Sequence, residues 1–118
     1  MYDQALEAYR QALVIHREVG DHAAEGTTLN NIGAVYQVQG RYDQALSNHQ
    51  QALVIAREVG NRSGEGSTLN NIGLIYRALG QYEQALSQYR QALVIARDIG
   101  YKELENSVLA NIENLPSD

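Results

Sequence analysis

Cysteine is absent from the 118-residue chain, which excludes a disulfide framework, a thiol nucleophile and any thiolate metal site. That absence fits a reducing, intracellular setting, so a cytoplasmic location is expected. Proline occurs once, at Pro116, leaving the rest of the chain free of helix breakers. Although 44% of the residues are apolar, no apolar run approaches the ~20 residues needed to span a bilayer. Tyr2-Asp3-Gln4 already belongs to a repeated pattern, so no signal peptide is expected. The three histidines, His16, His22 and His49, have no HxxxH-type spacing. No serine lies in a nucleophile-elbow context, and no glycine set follows a strand to hold phosphate. Catalytic, metal and nucleotide readings therefore fail, and a non-enzyme without a cofactor is expected. The net charge of −5 is spread evenly, with Arg10, Arg17, Arg57, Arg77, Arg90 and Arg97 interleaved among acids. Such a distribution is no footprint for nucleic acid or an anionic membrane.

What the chain has is repetition. Leu29-Asn30-Asn31-Ile32-Gly33 and Tyr36 return at 69–76, and a worn copy reads Leu109-Ala110-Asn111-Ile112-Glu113. Laying 1–40 on 41–80 gives about 24 identities. Tyr2, Tyr42 and Tyr82 are in register, as are Ala12-Leu13-Val14-Ile15, Ala52-Leu53-Val54-Ile55 and Ala92-Leu93-Val94-Ile95. A forty-residue period marks a repeat array, which builds its surfaces by stacking copies and carries function on a repeated face.

Each unit holds two amphipathic helical patterns. Leu29, Ile32, Gly33 and Tyr36 fall on one face of a 3.6-residue helix; Ala45, Leu46, His49, Ala52, Leu53 and Ala56 mark a second stripe. Gly20, Gly40, Gly60, Gly80 and Gly100 come where left-handed C-terminal caps are needed. Asp21 and Asn61 follow as N-caps; Glu25, Glu65, Asp3, Asp43 and Glu83 suit first turns. The pattern predicts six helices at roughly 2–20, 22–39, 42–59, 62–79, 82–99 and 102–114, all-α, with loops of about two residues that force antiparallel neighbours. One array over 1–118 is expected, with helix pairs at 22–59 and 62–99 and half-repeats 1–20 and 101–114 at the ends. The high copy-to-copy identity and the start in mid-repeat point to a piece of a longer array. Gly33 and Gly73 sit in mid-helix at a cost of ~1 kcal/mol relative to alanine. Close approach to the small residues Ala45, Ala52, Ala85 and Ala92 of the partner helix is the expected reason, with Tyr36 and Tyr76 filling the space beside them. His49 stands where the other copies have Tyr9 and Tyr89, and reads as a core substitution.

The order Leu29, Ile32-Gly33, Tyr36, Gly40, Tyr42, Ala45, His49, Ala52 resembles the tetratricopeptide repeat signature, and residues 69–92 match it again. Two departures are visible: arginine (Arg57, Arg97) replaces the usual closing proline, and the unit is longer than that of the standard repeat. Extended helices with a Leu-Asn-Asn block are similar to the repeats of kinesin light chain and of bacterial signalling arrays. The resemblance implies an α-solenoid, a right-handed superhelix of helix pairs whose concave groove binds extended or helical peptides.

The amides are the remaining signal, since asparagine is poor in helix interiors. Asn30-Asn31, Asn70-Asn71 and Asn111 offer donors and acceptors suited to gripping a peptide backbone. The resemblance puts Asn31, Asn71 and Asn111 on the groove as a ladder; helical geometry sets Thr27, Ser67, Ser107, Leu74, Gln37 and Arg77 beside them on the same face. The same amides equally suit bonds to the neighbouring helix that brace the superhelix. A carboxylate clamp, which the resemblance would build from lysines and arginines, is not expected with Asn30, Ala34, Asn71, Ser107 and Asn111 at those places. The expected function is a scaffold binding a protein or peptide partner in an asparagine-lined groove. The rival is a structural spacer that associates through its unpaired terminal helices, as weak head-to-tail stacks or a helix-swapped dimer.

Overall fold

The computed structural model describes residues 1–116 and is all-α. Helices α1 (Tyr2–Val19), α2 (His22–Val38) and α3 (Tyr42–Val59) lie in one compact unit, Met1–Asn61. Helices α4 (Arg62–Ala78), α5 (Tyr82–Ile99) and α6 (Lys102–Glu113) lie in a second, which begins at Arg62. The expected pairs at 22–59 and 62–99 thus fall one in each unit, as α2 with α3 and α4 with α5. In each unit the consecutive helices pack against one another, and in the second α6 also reaches α4.

Glycine sets the helix ends. Gly20, Gly40, Gly60, Gly80 and Gly100 all adopt positive φ, between 69° and 76°, a conformation that costs a residue with a Cβ. The residue after each glycine donates its N–H back to a carbonyl five positions earlier: Asp21 to His16 at 2.9 Å, Arg41 to Tyr36 at 2.8 Å, Asn61 to Ala56 at 2.8 Å, Gln81 to Tyr76 at 2.8 Å and Tyr101 to Ala96 at 2.9 Å. These bonds satisfy carbonyls that each helix would leave orphaned, and they turn the chain sharply enough to lay the next helix alongside. At the other end Asp21 caps α2, its Oδ1 accepting from the Ala24 N–H at 3.1 Å. Met1, Arg41, Gln81 and Tyr101 make no side-chain cap bond, so α1, α3, α5 and α6 rely on acids in the first turn.

The core of unit 1 includes Leu6, Leu13, Leu29, Ile32, Ala45, Ala52 and Ile55; that of unit 2 includes Leu69, Ile72, Ile75, Ala85, Tyr89, Ala92, Ile95, Leu104 and Val108. The mid-helix glycines do admit a close neighbour, but not the alanines that the sequence suggests. A Cβ on Gly33 would stand 2.9 Å from the His49 ring, and one on Gly73 only 2.5 Å from Tyr89 Cε1. An aromatic ring is what comes closest to each glycine, and the alanines are buried in the same core. Two further glycines work the same way nearer the helix start: Gly26 leaves room for Ile55, and Gly66 for Leu104 and Ile95. In α6 the same registers carry Asn106 and Glu113, so this helix has lost both close seats. Among the described residues no helix is long and apolar enough to cross a membrane.

Candidate functional site

Adjacent positions on a helix point about 100° apart, and that rotation divides each asparagine pair. Asn30 on α2 turns toward α3. Its Oδ1 lies 2.6 Å from His49 Nδ1, while His49 Nε2 lies 3.2 Å from Gln37 Oε1. His49 is fully buried, so it needs these partners: an unpaired ring nitrogen in the core would cost about 1–3 kcal/mol. Burial also holds its pKa down, from 6.5 to about 4. The ring is therefore neutral at physiological pH, with Nδ1–H donating to Asn30 and Nε2 left for the Gln37 amide, which turns to donate. Two of the expected peptide contacts, Asn30 and Gln37, are thus engaged inside unit 1.

Unit 2 solves the same position differently. Tyr89 replaces the histidine and Arg77 replaces Gln37. Burial raises the Tyr89 pKa, opposed by the nearby Arg77 charge. Asn70, buried, turns to α6: its Oδ1 accepts from Asn111 Nδ2 at 2.9 Å, and its Nδ2 donates to Ser107 Oγ at 3.4 Å. Here asparagine clamps α4 onto α6. Asn111 and Ser107, expected as groove residues, are brought to Asn70 by this clamp.

The other member of each pair faces outward. On α2 the exposed residues Thr27, Asn31, Ala34 and Val38 form a stripe at helical spacing. Thr27 Oγ1 bonds to its own helix, at the Ala23 carbonyl, 3.2 Å away. On α4 the matching stripe is Ser67, Asn71, Leu74 and Ala78, half-buried except for the exposed Ala78, with exposed Arg77 beside it. Neither Asn31 nor Asn71 has a hydrogen-bond partner among the described residues, whereas Asn30 and Asn70 both do. In unit 2 it is Asn70, next in sequence to this stripe, that brings Ser107 and Asn111 of α6 to α4. The sequence reading kept both asparagines of each pair as candidates. What it lacked was the hub: a histidine at a tyrosine register, opposite two amides, was the available signal.

Arginines of α1 and α5 are paired with acids of the helix that follows. Arg17 pairs with Glu25 at 3.0 Å, and eighty positions on Arg97 pairs with Glu105 at 3.0 Å. The Arg97 hydrogen bond, foremost, holds the Glu105 carboxyl below its usual range. Among the described residues no group of three or more His, Cys, Asp or Glu is placed to hold a metal.

A family model described as Tetratricopeptide repeat matches residues 25–98, from the first turn of α2 to one residue short of the end of α5. No curated protein matches the sequence at a significant level.

Proposed function

Because the chain belongs to the tetratricopeptide repeat family, whose members generally mediate protein–protein interactions, we propose that it is a scaffold that grips a peptide segment of a partner through the outward stripes of α2 and α4. The observation that carries this reading is the division of the asparagine pairs. Asn30 and Asn70 repay their poor helix propensity with internal bonds. Asn31 and Asn71 have the same propensity cost and no partner among the described residues. An amide held at a fixed position with donor and acceptor open reads a backbone without regard to its side chains. Around Asn71 the partner meets Ser67, Leu74, Arg77, Ser107 and Asn111, a polar surface with one apolar anchor; around Asn31 it meets Thr27 and Ala34. No catalytic role is part of this reading, and nucleic acid and membranes are not among the partners proposed. The rival, end-to-end assembly through α6, is disfavoured because Asn106 and Glu113 stand where a close helix contact uses glycine.

The test starts from peptides selected on the chain from a display library. With a selected peptide, Asn31→Ala combined with Asn71→Ala weakens binding by about tenfold or more, at ~0.5–1.5 kcal/mol per amide, while melting is nearly unchanged. Unaltered affinity with a large loss of stability makes the ladder purely structural and defeats the proposal.

A further inference from the structure

Position 116 is in register with position 36, two forty-residue periods apart, and the two units differ there. In unit 1 Tyr36 is 9% exposed. Its hydroxyl accepts from Arg10 Nη2 at 2.9 Å, and the Arg41 guanidinium stands 5.9 Å from its ring centre. Leu6 and Ile32, in register with Leu86 and Ile112 of unit 2, are buried. In unit 2 α6 stops at Glu113 and Pro116 takes the register of the tyrosine. A groove of about 340 Å³ opens there among Tyr82, Leu86, Arg90, Ile112, Leu115 and Pro116. Leu86 and Ile112 are only half-buried, and Arg90, the counterpart of Arg10, has no side-chain partner among the described residues.

We infer that this groove is a socket for a tyrosine side chain of a partner polypeptide. The ring lies on Leu86, Ile112 and Leu115, and the phenol oxygen accepts from the Arg90 guanidinium as the Tyr36 oxygen accepts from Arg10. The choice of a neutral phenol over an anion follows from Glu83, which lines the same groove. Its carboxylate balances Arg90 and repels a second carboxylate or a phosphate. The socket is chemically distinct from the amide face: no residue lining it belongs to the stripe around Asn71, and it selects a side chain where the amides read a backbone.

The test is titration of N-acetyltyrosinamide into the isotope-labelled chain, followed by backbone amide shifts. Saturable shifts confined to Leu86, Arg90, Ile112 and Leu115 are expected, with N-acetylphenylalaninamide about fivefold weaker because it lacks the acceptor. Arg90→Met, on an exposed side chain, lowers tyrosine affinity to the level of phenylalanine. Pro116→Tyr abolishes binding by supplying its own ring. Amide positions elsewhere confirm that both variants remain folded. Absent or scattered shifts, equal affinity for the two probes, or unchanged binding in Pro116→Tyr would overturn the inference. Shifts of the same amides on concentrating the chain without probe assign the groove to a second copy and overturn the separate partner.

Discussion

Adding a single methyl group at Gly73 tests the packing of unit 2 directly. The new Cβ would stand 2.5 Å from Tyr89 Cε1 and 2.6 Å from Cδ1. Ordinary carbon contact needs ~3.5–4.0 Å, so the ring must withdraw by roughly 1 Å. Tyr89 and its helix neighbours Ala85, Ala92 and Ala96 are all at 0% exposure, so the ring cannot withdraw into solvent. Overpacking of this kind costs ~1–3 kcal/mol, and alanine returns ~1 kcal/mol of helix propensity. Gly73→Ala is therefore expected to destabilise by up to about 2 kcal/mol, and Gly73→Leu or Gly33→Leu by ~3 kcal/mol or more. Urea denaturation read by circular dichroism measures the loss, and amide hydrogen exchange in α4 and α5 locates it in unit 2. The control is Tyr89→His, which installs the smaller ring that unit 1 holds at the same seat. In that background Gly73→Ala costs at least ~0.5 kcal/mol less, a coupling that two groups in contact should show. Strict additivity, or wild-type melting of both leucine variants, refutes the ring-on-glycine account.

Three further outcomes follow from the buried polar groups. His49, held at about 4 against 6.5 when free, stays neutral in the fold while the unfolded chain takes up a proton; stability is whole above pH 6.5, falls by up to ~3 kcal/mol toward pH 4 and levels off below it. His49→Tyr removes most of that slope in a melting-versus-pH series, and an unchanged slope defeats the assignment. Tyr89 Oη is buried without a partner among the described residues, so Tyr89→Phe raises the urea midpoint by about 1 kcal/mol equivalent; a fall means that the hydroxyl is bonded. Asn70→Ala breaks the bonds to Asn111 and Ser107 and lowers stability by about 1–2 kcal/mol, with exchange protection in α6 lost first, whereas Asn71→Ala leaves that protection intact.

Helix positions were legible because glycine and hydrophobic period agree at every copy; α3 and α5 occupy the expected 42–59 and 82–99, and the others end one residue early. What a helix faces was less legible. Gly73 announces a close approach, yet its spacing cannot say whether Ala85 or Tyr89 comes closest, because that depends on how the partner helix is rotated and slid. The asparagine pairs failed for a related reason. Asn70 and Asn71 are chemically identical, and only a 100° turn decides which one clamps α6. The Arg10–Tyr36 bond joins residues whose pairing no local pattern encodes, although Pro116 at a tyrosine register was visible from the repeat alone.

The clustering of each unit within a short stretch of chain has a consequence for how the protein is made. Unit 1 is complete at Asn61, and its helices rest on their immediate neighbours in sequence. Contacts of such small sequence separation form quickly. Pairings within Met1–Asn61 can therefore form while synthesis continues, which shortens the time during which their apolar stripes stand uncovered.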